Sequence, residues 1–269
     1  MLGVARMRTR DDMAGAEAFR AALKIAMDAP ALDIAAGASM NLGVIEMRCG
    51  DFTAAHQAFH EALRLYTTLR NNTNRLAALY NLANLESERG DIAAAAPLYR
   101  ETATLAEELG ADDIAIGAHA GIGLIALRLF DHASARTAYA AAERALGARE
   151  GWWFQGRERL ESLCIHLAIQ DGSRTLALTR FRAAVERLEA MDVYSAAWFV
   201  GECGAEVAED EADIWAIIDR FGEHTMVQQF VPLAARYTAL RDMAARRRTD
   251  LLRQGRKTEG SSETDDSEE

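Results

Sequence analysis

The chain has 269 residues, half of them hydrophobic, with only three prolines and a formal net charge of −11. An acidic chain repels phosphate backbones, so nucleic acid is not expected as the main ligand. No apolar run approaches the ~20 residues of a membrane span, and the N-terminus lacks a signal peptide. Few prolines and much alanine predict an all-α protein. The three widely spaced cysteines predict reduced thiols and a cytoplasmic location.

Residues 1–150 carry a pattern that returns every forty residues. The recurring positions hold an aliphatic residue, a glycine or alanine, an aspartate, a small residue and an aromatic residue. These columns are Leu2, Leu42, Leu82 and Ile122; Gly3, Gly43, Ala83 and Gly123; Asp11, Asp51, Asp91 and Asp131; Gly15, Ala55, Ala95 and Ala135; and Phe19, Phe59, Tyr99 and Tyr139. A fixed period of this length predicts a stack of similar units.

The first unit begins abruptly. Leu2 and Gly3 occupy positions that lie in the middle of a helix in the later units, so the first part of that helix is absent. Terminal repeats usually carry a polar cap over the end of the stack, and no such cap is visible here. We therefore hypothesise that the chain is a fragment or continues upstream, with self-association through the uncapped N-terminal end as an alternative.

Each unit is predicted to be a pair of antiparallel helices, which the second unit illustrates. Gly50 is expected to end the first helix, because the left-handed conformation costs least at glycine. Asp51 is expected to cap the second helix by accepting a backbone N–H of its first turn. Ala55 and Phe59 are four residues apart and share a helix face, with the alanine allowing close approach of the paired helix.

The second unit resembles the tetratricopeptide repeat. Leu42, Gly43, Ala55, Phe59 and Ala62 stand at the Leu-Gly, Ala, aromatic and Ala positions of that family. The usual unit has about 34 residues, so the forty-residue units look like the longer repeats of kinesin light chain and of bacterial signalling regulators. The resemblance implies a right-handed α-solenoid of stacked antiparallel helix pairs, a TPR-like superhelix.

The domain organisation follows from where this pattern holds. Residues 1–150 are predicted to form four such repeats, the first truncated at its N-terminus. In residues 151–222 we predict two degenerate repeats, in which Asp171 keeps the aspartate column, Thr175 takes the small position and Phe181 is shifted by two from the aromatic column. A helical segment over residues 223–254, interrupted at Pro232, and a disordered acidic tail over residues 255–269 are expected to follow.

Two tryptophans interrupt the pattern where the repeats begin to degenerate. Trp152 and Trp153 lie in the stretch Gly-Trp-Trp-Phe at residues 151–154. One interpretation is that they fill an irregular junction between repeats. The other is an exposed aromatic anchor for a partner, since tryptophan is enriched at interface hot spots.

A stack of helix pairs curves, and its first helices line the concave groove that such solenoids use for binding. In the resembled family, groove asparagines bind extended peptides. That implies the same role for three asparagines here, although they also suit bonds to a neighbouring helix. Apolar residues and two arginines, able to hold an acidic group or the chain's own tail, complete the predicted peptide-binding groove. Its residues are Asn41, Val44, Met47, Arg48, Tyr80, Asn81, Asn84, Leu124 and Arg128.

Other patterns suggest chemistry but are incomplete. His56 and His60 have a spacing that suits zinc, but no further ligand completes the site. The glycine-rich stretch Gly117–Gly123 reads as helix, and no strand precedes it as a nucleotide-binding fingerprint requires. We therefore expect no metal, no cofactor and no catalysis.

Two functions fit this sequence. The first is a scaffold or adaptor that binds a protein or peptide in its concave groove. The alternative is the C-terminal ligand- or peptide-sensing module of a larger bacterial signalling or transcription regulator. In both cases the expected partner is a protein or peptide, without nucleic acid or membrane.

Overall fold

The computed structural model describes residues 12–28, 31–147, 156–208 and 211–262, and every regular element in these ranges is a helix. The all-α fold is therefore confirmed. The helices, numbered in chain order, are α1 (Asp12–Asp28), α2 (Leu32–Cys49), α3 (Phe52–Thr68), α4 (Asn72–Glu88), α5 (Ile92–Leu109), α6 (Asp112–Arg128), α7 (His132–Leu146), α8 (Arg157–Gln170), α9 (Arg174–Met191), α10 (Val193–Ala208), α11 (Ala212–Glu223), α12 (Thr225–Gln229) and α13 (Val231–Ser262).

These helices form stacked pairs. The pairs are α2 with α3, α4 with α5, α6 with α7, α8 with α9, and α10 with α11, and each helix packs mainly against its neighbours along the chain. The first helices of three successive pairs start at Leu32, Asn72 and Asp112, which are forty residues apart. The solenoid predicted from the sequence is therefore the fold. The residues before α1, on which the truncated first helix was predicted, lie outside the described ranges.

The turns within the pairs α2–α3, α4–α5 and α6–α7 carry the aspartate cap that the sequence predicts. Gly50 ends α2 in the left-handed conformation with φ of +81°, and the Asp51 carboxylate accepts a hydrogen bond of 2.9 Å from the backbone N–H of Ala54. Asp91 and Asp131 cap α5 and α7 in the same way, with bonds of 3.0 Å. One aspartate therefore satisfies an otherwise unpaired backbone donor at the start of each of these three helices.

Small residues let the helices approach closely. Ala55, Ala95 and Ala135 are fully buried. A methyl group at Gly43 would lie 2.6 Å from the Phe59 ring of the paired helix, and one at Gly121 would lie 2.6 Å from the Tyr99 ring. The glycine-rich stretch of α6 is therefore a packing surface for aromatic rings, as its prediction as a helix requires.

In α9 the predicted register is wrong. Thr175 was assigned to the small position, but it is exposed, whereas Ala177 is buried and Phe181 is fully buried. The reason lies before the turn, because α8 ends at Gln170, two residues later than the forty-residue period predicts, while the three-residue turn that contains Gly172 has the same length as the two turns before it. This displacement moves the small and aromatic positions of the repeat together, so that both still face the core.

The C-terminal region contains α12 and the long helix α13. Pro232 lies in the first turn of α13, where the missing backbone N–H costs little. We predicted disorder from residue 255, but α13 continues to Ser262, which corrects that boundary. Arg, Gln, Lys and Glu favour helix, so a polar composition alone does not end one. Residues 263–269 of the tail lie outside the described ranges.

The first helices of the pairs form a continuous inner row. Along this row α2 contacts α4, α4 contacts α6, α6 contacts α8, and α8 contacts α10. The last member is α13, which packs on α10 and also touches α2. The inner row therefore returns to its starting point at α2.

Candidate binding site on the inner face

A cavity of about 330 Å³ opens on the inner row between α6, α8 and α10. We call it the inner cavity. Aliphatic side chains share its wall with charged and polar ones, so the cavity offers both apolar contact and hydrogen bonding. The residues that line it are Leu124, Leu127, Arg128, Phe130, His166, Ile169, Gln170, Glu202 and Glu206.

Phe130 lines the inner cavity from the turn between α6 and α7. It stands at the position that Gly50 and Gly90 occupy in the two preceding repeats, and its φ is +58°. A bulky residue in the left-handed conformation is strained, by about 1 kcal/mol or more. Its side chain is 84% exposed, so burial in the core does not compensate for that strain. An exposed ring in a strained position beside a cavity is a candidate contact for a partner.

Ion pairs organise the polar wall of the inner cavity. Arg128 donates to Glu202 at 2.9 Å and to the carbonyl of Ser87 at 3.2 Å. The His166 Nδ1 lies 2.7 Å from the carbonyl of Ser162, and its Nε2 lies 3.3 Å from Glu206. Burial is the largest single influence and opposes the charged form of His166, but Glu206, the Ser162 carbonyl and Glu202 together outweigh it, so that the pKa of His166 is raised.

A second group of charged residues adjoins the inner cavity. We call it the inner polar cluster, and it consists of Glu88, Arg128, Arg159, Trp198, Glu202 and Arg236. Glu88 accepts hydrogen bonds from Trp198 Nε1 at 2.7 Å and from Arg236 at 3.0 Å. Arg159 lies over the Trp198 ring at 4.4 Å. Burial works to raise the pKa of Glu202, but Arg236 and Arg128 together lower it.

Four of the predicted groove residues lie on α2. Val44 and Met47 are partly buried and pack against the core around Phe59. The Arg48 guanidinium lies 4.3 Å from the centroid of the Phe230 ring, which comes from the C-terminal region. The Asn41 amide donates to the carbonyl of Gly37 at 2.8 Å, within its own helix.

Three more predicted groove residues lie on α4. Tyr80 is buried, and its ring packs edge-on against the ring of Tyr99, with the two ring centroids 6.4 Å apart. Burial raises the pKa of its hydroxyl. Asn81 approaches the sulfur of Met40 on α2 at 3.8 Å, and the Asn84 oxygen accepts hydrogen bonds from Tyr99 at 2.8 Å and Arg159 at 3.2 Å. These side chains thus have contacts within the chain.

The last two predicted groove residues, Leu124 and Arg128, both line the inner cavity. Sequence reasoning did not select Phe130, His166 or Glu206. Phe130 was detectable, because it breaks a column of glycines. The other two were not, because they lie on α8 and α10, where the repeat pattern is too weak to give the helical phase.

The remaining predictions about sites have different outcomes. Trp152 and Trp153, the possible aromatic anchor, lie outside the described residues. Within the described ranges no three His, Cys, Asp or Glu side chains are grouped so as to hold a metal ion. The rings of His56 and His60 are tilted by 51° with their centroids 4.3 Å apart, beside Glu86. None of the helices in the described part of the chain is both long and apolar enough to cross a bilayer.

Comparison with known proteins agrees with the fold. A family model described as tetratricopeptide repeat matches residues 33–108. The crystal structure of BtubC (BKLC) from P. vanneervenii superposes with a TM-score of 0.55 at 17% identity, covering 88% of this chain and 92% of that one. The crystal structure of the apo form of RapI gives a TM-score of 0.64 at 11% identity, with coverage of 93% and 96%. No curated protein sequence matches the chain.

Proposed function

We propose that this protein, whose residues 33–108 match the tetratricopeptide repeat, is a scaffold. It binds a segment of another protein on its inner face, without catalysis. The inner cavity is the proposed contact point. The observation that carries the proposal is the exposed, strained Phe130 beside a cavity that lies on the inner row of helices.

The chemistry of the cavity suits a peptide. Leu124, Leu127 and Ile169 offer an apolar surface for one side chain, and Phe130 is free to cover it from the turn. Gln170 adds donor and acceptor groups that match a peptide backbone. The ionisable side chains of the wall are paired with each other, Arg128 with Glu202 and His166 with Glu206, which suits recognition.

The predicted groove residues of α2 and α4 are secondary contacts for a ligand in this proposal. Asn41, Asn81 and Asn84 have partners within the chain, so a ligand has to compete for their amides. Leu124 and Arg128 line the cavity itself, where a ligand contacts Leu124 directly and competes with Glu202 for Arg128. We therefore place the first contact at α6, α8 and α10, and treat the asparagines as a prediction from the family resemblance.

The test is a selection of peptides from a display library on the full chain. Selected peptides should bind wild type and lose at least ten-fold in affinity for Phe130→Gly, which removes the ring and suits the left-handed backbone. Gln170→Trp, which fills the cavity from an exposed position, should have a similar effect. The matched control is Leu129→Ser, an exposed apolar neighbour that does not line the cavity.

Two results would contradict this proposal. One is that the selection enriches no peptide. The other is that enriched peptides bind Phe130→Gly and Gln170→Trp as tightly as they bind wild type and Leu129→Ser. In that second case the binding surface lies elsewhere on the solenoid.

A sensing module of a larger bacterial regulator is the second candidate function. The closure of the inner row favours it, because α13 contacts both α10 and α2. A ligand on the inner face of such a ring has a direct means of changing the distance between its two ends. The discriminating measurement is whether the chain changes shape when a selected peptide binds.

A further inference from the structure

The contact that closes the inner row differs from the other contacts in the stack. The pairs themselves are held by buried apolar side chains. At the closure, Val231 lies against Gly50, and the Arg48 guanidinium covers the Phe230 ring. The other contacts there are hydrogen bonds to Glu88, and apolar residues of both parts, among them Phe52 and Leu233, line the small gap between them. The closure is therefore a small mixed contact, whose hydrogen bonds to Glu88 can break without unfolding any helix pair.

Glu88 is the centre of these interactions. It lies at the end of α4. Its two carboxylate oxygens accept hydrogen bonds, one from Trp198 of α10 at 2.7 Å and one from Arg236 of α13 at 3.0 Å. Arg159 of α8 is a third neighbour at 4.0 Å. One carboxylate thus connects the N-terminal part of the inner row with its C-terminal part. The gap left between these parts has a volume of only about 20 Å³, so they are in close contact.

The same network reaches the inner cavity. Arg236 lies 3.2 Å from Glu202, and Glu202 also accepts a hydrogen bond from Arg128 at 2.9 Å. Both Glu202 and Arg128 line the cavity. A cationic group of a ligand that binds Glu202 there competes with Arg236 for that carboxylate, and it removes one of the two acidic groups that hold Arg236 in place. Occupancy of the cavity and closure of the ring are therefore coupled through Glu202.

We propose that Glu88 and Arg236 form a latch that holds the inner row closed, and that a ligand in the inner cavity opens it. The existence of the latch is independent of any ligand. Its coupling to the cavity rests on the proposed function above. The device makes the shape of the solenoid, and so the surface it presents to other proteins, depend on what the cavity holds.

The latch is tested by small-angle X-ray scattering and amide hydrogen exchange on the full chain. Glu88→Lys places a cation against Arg236 and Arg159, and it should increase the maximum dimension and accelerate exchange at the start of α13. Arg236→Gln should shift both readouts in the same direction. The matched control is Glu189→Lys, an equal change of charge at a carboxylate that pairs with Arg220 away from the inner face.

Helical content by circular dichroism shows whether each variant folds. Should Glu88→Lys unfold, Arg236→Gln decides the question, because it removes one hydrogen-bonding partner of Glu88 and introduces no like charge. Dimensions and exchange rates equal to those of Glu189→Lys in the folded variants would overturn the latch.

The coupling has its own readout. A peptide selected on wild type should increase the maximum dimension of wild type, and it should bind Arg236→Gln several-fold more tightly, because the cost of opening has been removed. Equal affinity for both proteins and an unchanged dimension would overturn the coupling. A selection that yields no peptide contradicts the proposed function, whereas the scattering of the unliganded variants still decides the latch.

Discussion

The repeats at residues 32–146 and those at residues 157–223 build similar helix pairs from different interactions. In the first region one set of contacts recurs. Asp51, Asp91 and Asp131 each cap a second helix, and a fully buried alanine follows four residues after each of them. These contacts are local in sequence, so every unit can form them by itself.

The later region relies on charged groups that are particular to it. Arg157, Arg159 and Glu161 are all buried within the first turns of α8. Glu161 accepts hydrogen bonds from Arg157 at 2.9 Å and from Arg180 of α9 at 3.3 Å. The aspartate of the repeat column is no longer a cap, because Asp171 pairs with Arg136 on the preceding repeat instead.

The difference shows how a repeat protein acquires a specific site. Identical local contacts give a regular stack, but they present the same surface in each unit. Buried ion pairs add little net stability, because the cost of removing charges from water offsets their attraction. They do fix which side chains meet. The inner polar cluster does this beside the inner cavity, where Arg128 meets Glu202 and Arg236 meets Glu88.

The largest expected effect tests whether the later region still uses the aromatic position of the repeat. Phe181 is fully buried and stacks on Phe199 with centroids 5.3 Å apart. Phe181→Ala should lower the free energy of unfolding by about 3–5 kcal/mol, because it leaves a large cavity in the core. Urea denaturation of the full chain measures this value.

The control for that prediction is Thr179→Ala, at the position that an unshifted repeat assigns to the aromatic residue. Thr179 is exposed, and its hydroxyl donates to the carbonyl of Thr175 at 2.9 Å. Its replacement should change the free energy of unfolding by no more than about 0.5 kcal/mol. A larger loss at Thr179 than at Phe181 would mean that the two-residue shift of α9 is wrong.

Much of the fold was predictable because its causes are local. The glycine turn at Gly50, the cap at Asp51 and the face shared by Ala55 and Phe59 each depend on residues close in sequence. The partner of each glycine was harder to predict. A shared column suggested one role for Gly43 and Gly123, yet Gly43 faces Phe59 of its own pair, whereas Gly123 faces Leu163 of the next pair.

The candidate site was predictable only in part. Leu124 and Arg128 follow from helical phase within a regular repeat, and they do line the inner cavity. The residues opposite them, Glu202 and Glu206, are more than seventy positions away in a region without a clear period. Closure of the inner row by α13 depends on the curvature accumulated over all the repeats, which no local pattern encodes. For that reason the contact between the Arg48 guanidinium and the Phe230 ring was not predicted from the sequence.

A smaller effect tests the close packing of the regular region. Gly43 and Gly37 both lie in α2, but only Gly43 faces an aromatic ring, with Phe59 2.6 Å from an added methyl group. Gly43→Ala should lower the free energy of unfolding by about 1–3 kcal/mol through overpacking. No atom lies within 4 Å of a methyl group added at Gly37. Gly37→Ala should therefore raise the free energy of unfolding by about 0.5–1 kcal/mol, since alanine favours helix. Chemical denaturation of both variants measures the two free energies of unfolding. Changes of the same sign would contradict the close approach of the Phe59 ring to Gly43.

The smallest expected effect concerns the pKa values of two histidines, one from each region. In the regular region, burial and the neighbouring charge of His56 lower the pKa of His60. In the later region, burial also works to lower the pKa of His166, but Glu206, the Ser162 carbonyl and Glu202 together outweigh it and raise that pKa. Proton NMR titration of the full chain should therefore give a midpoint below about 6.5 for His60 and above it for His166. The variants His60→Gln and His166→Gln assign the two resonances.

The two shifts predict opposite effects of pH on stability. The raised pKa means that folded His166 binds a proton more tightly than the unfolded chain does. Its contribution is therefore complete below about pH 6.5 and is lost as the pH rises through the folded pKa. His60 has the reverse sign, because its lowered pKa penalises folding as the pH falls below about 6.5 towards its folded pKa. Unfolding free energies of wild type and the two glutamine variants, measured on both sides of this range, test the signs. Wild type should lose stability relative to His166→Gln as the pH rises and gain it relative to His60→Gln. A midpoint for His166 at or below that of His60 would mean that Glu206 does not hold the imidazolium in the inner cavity.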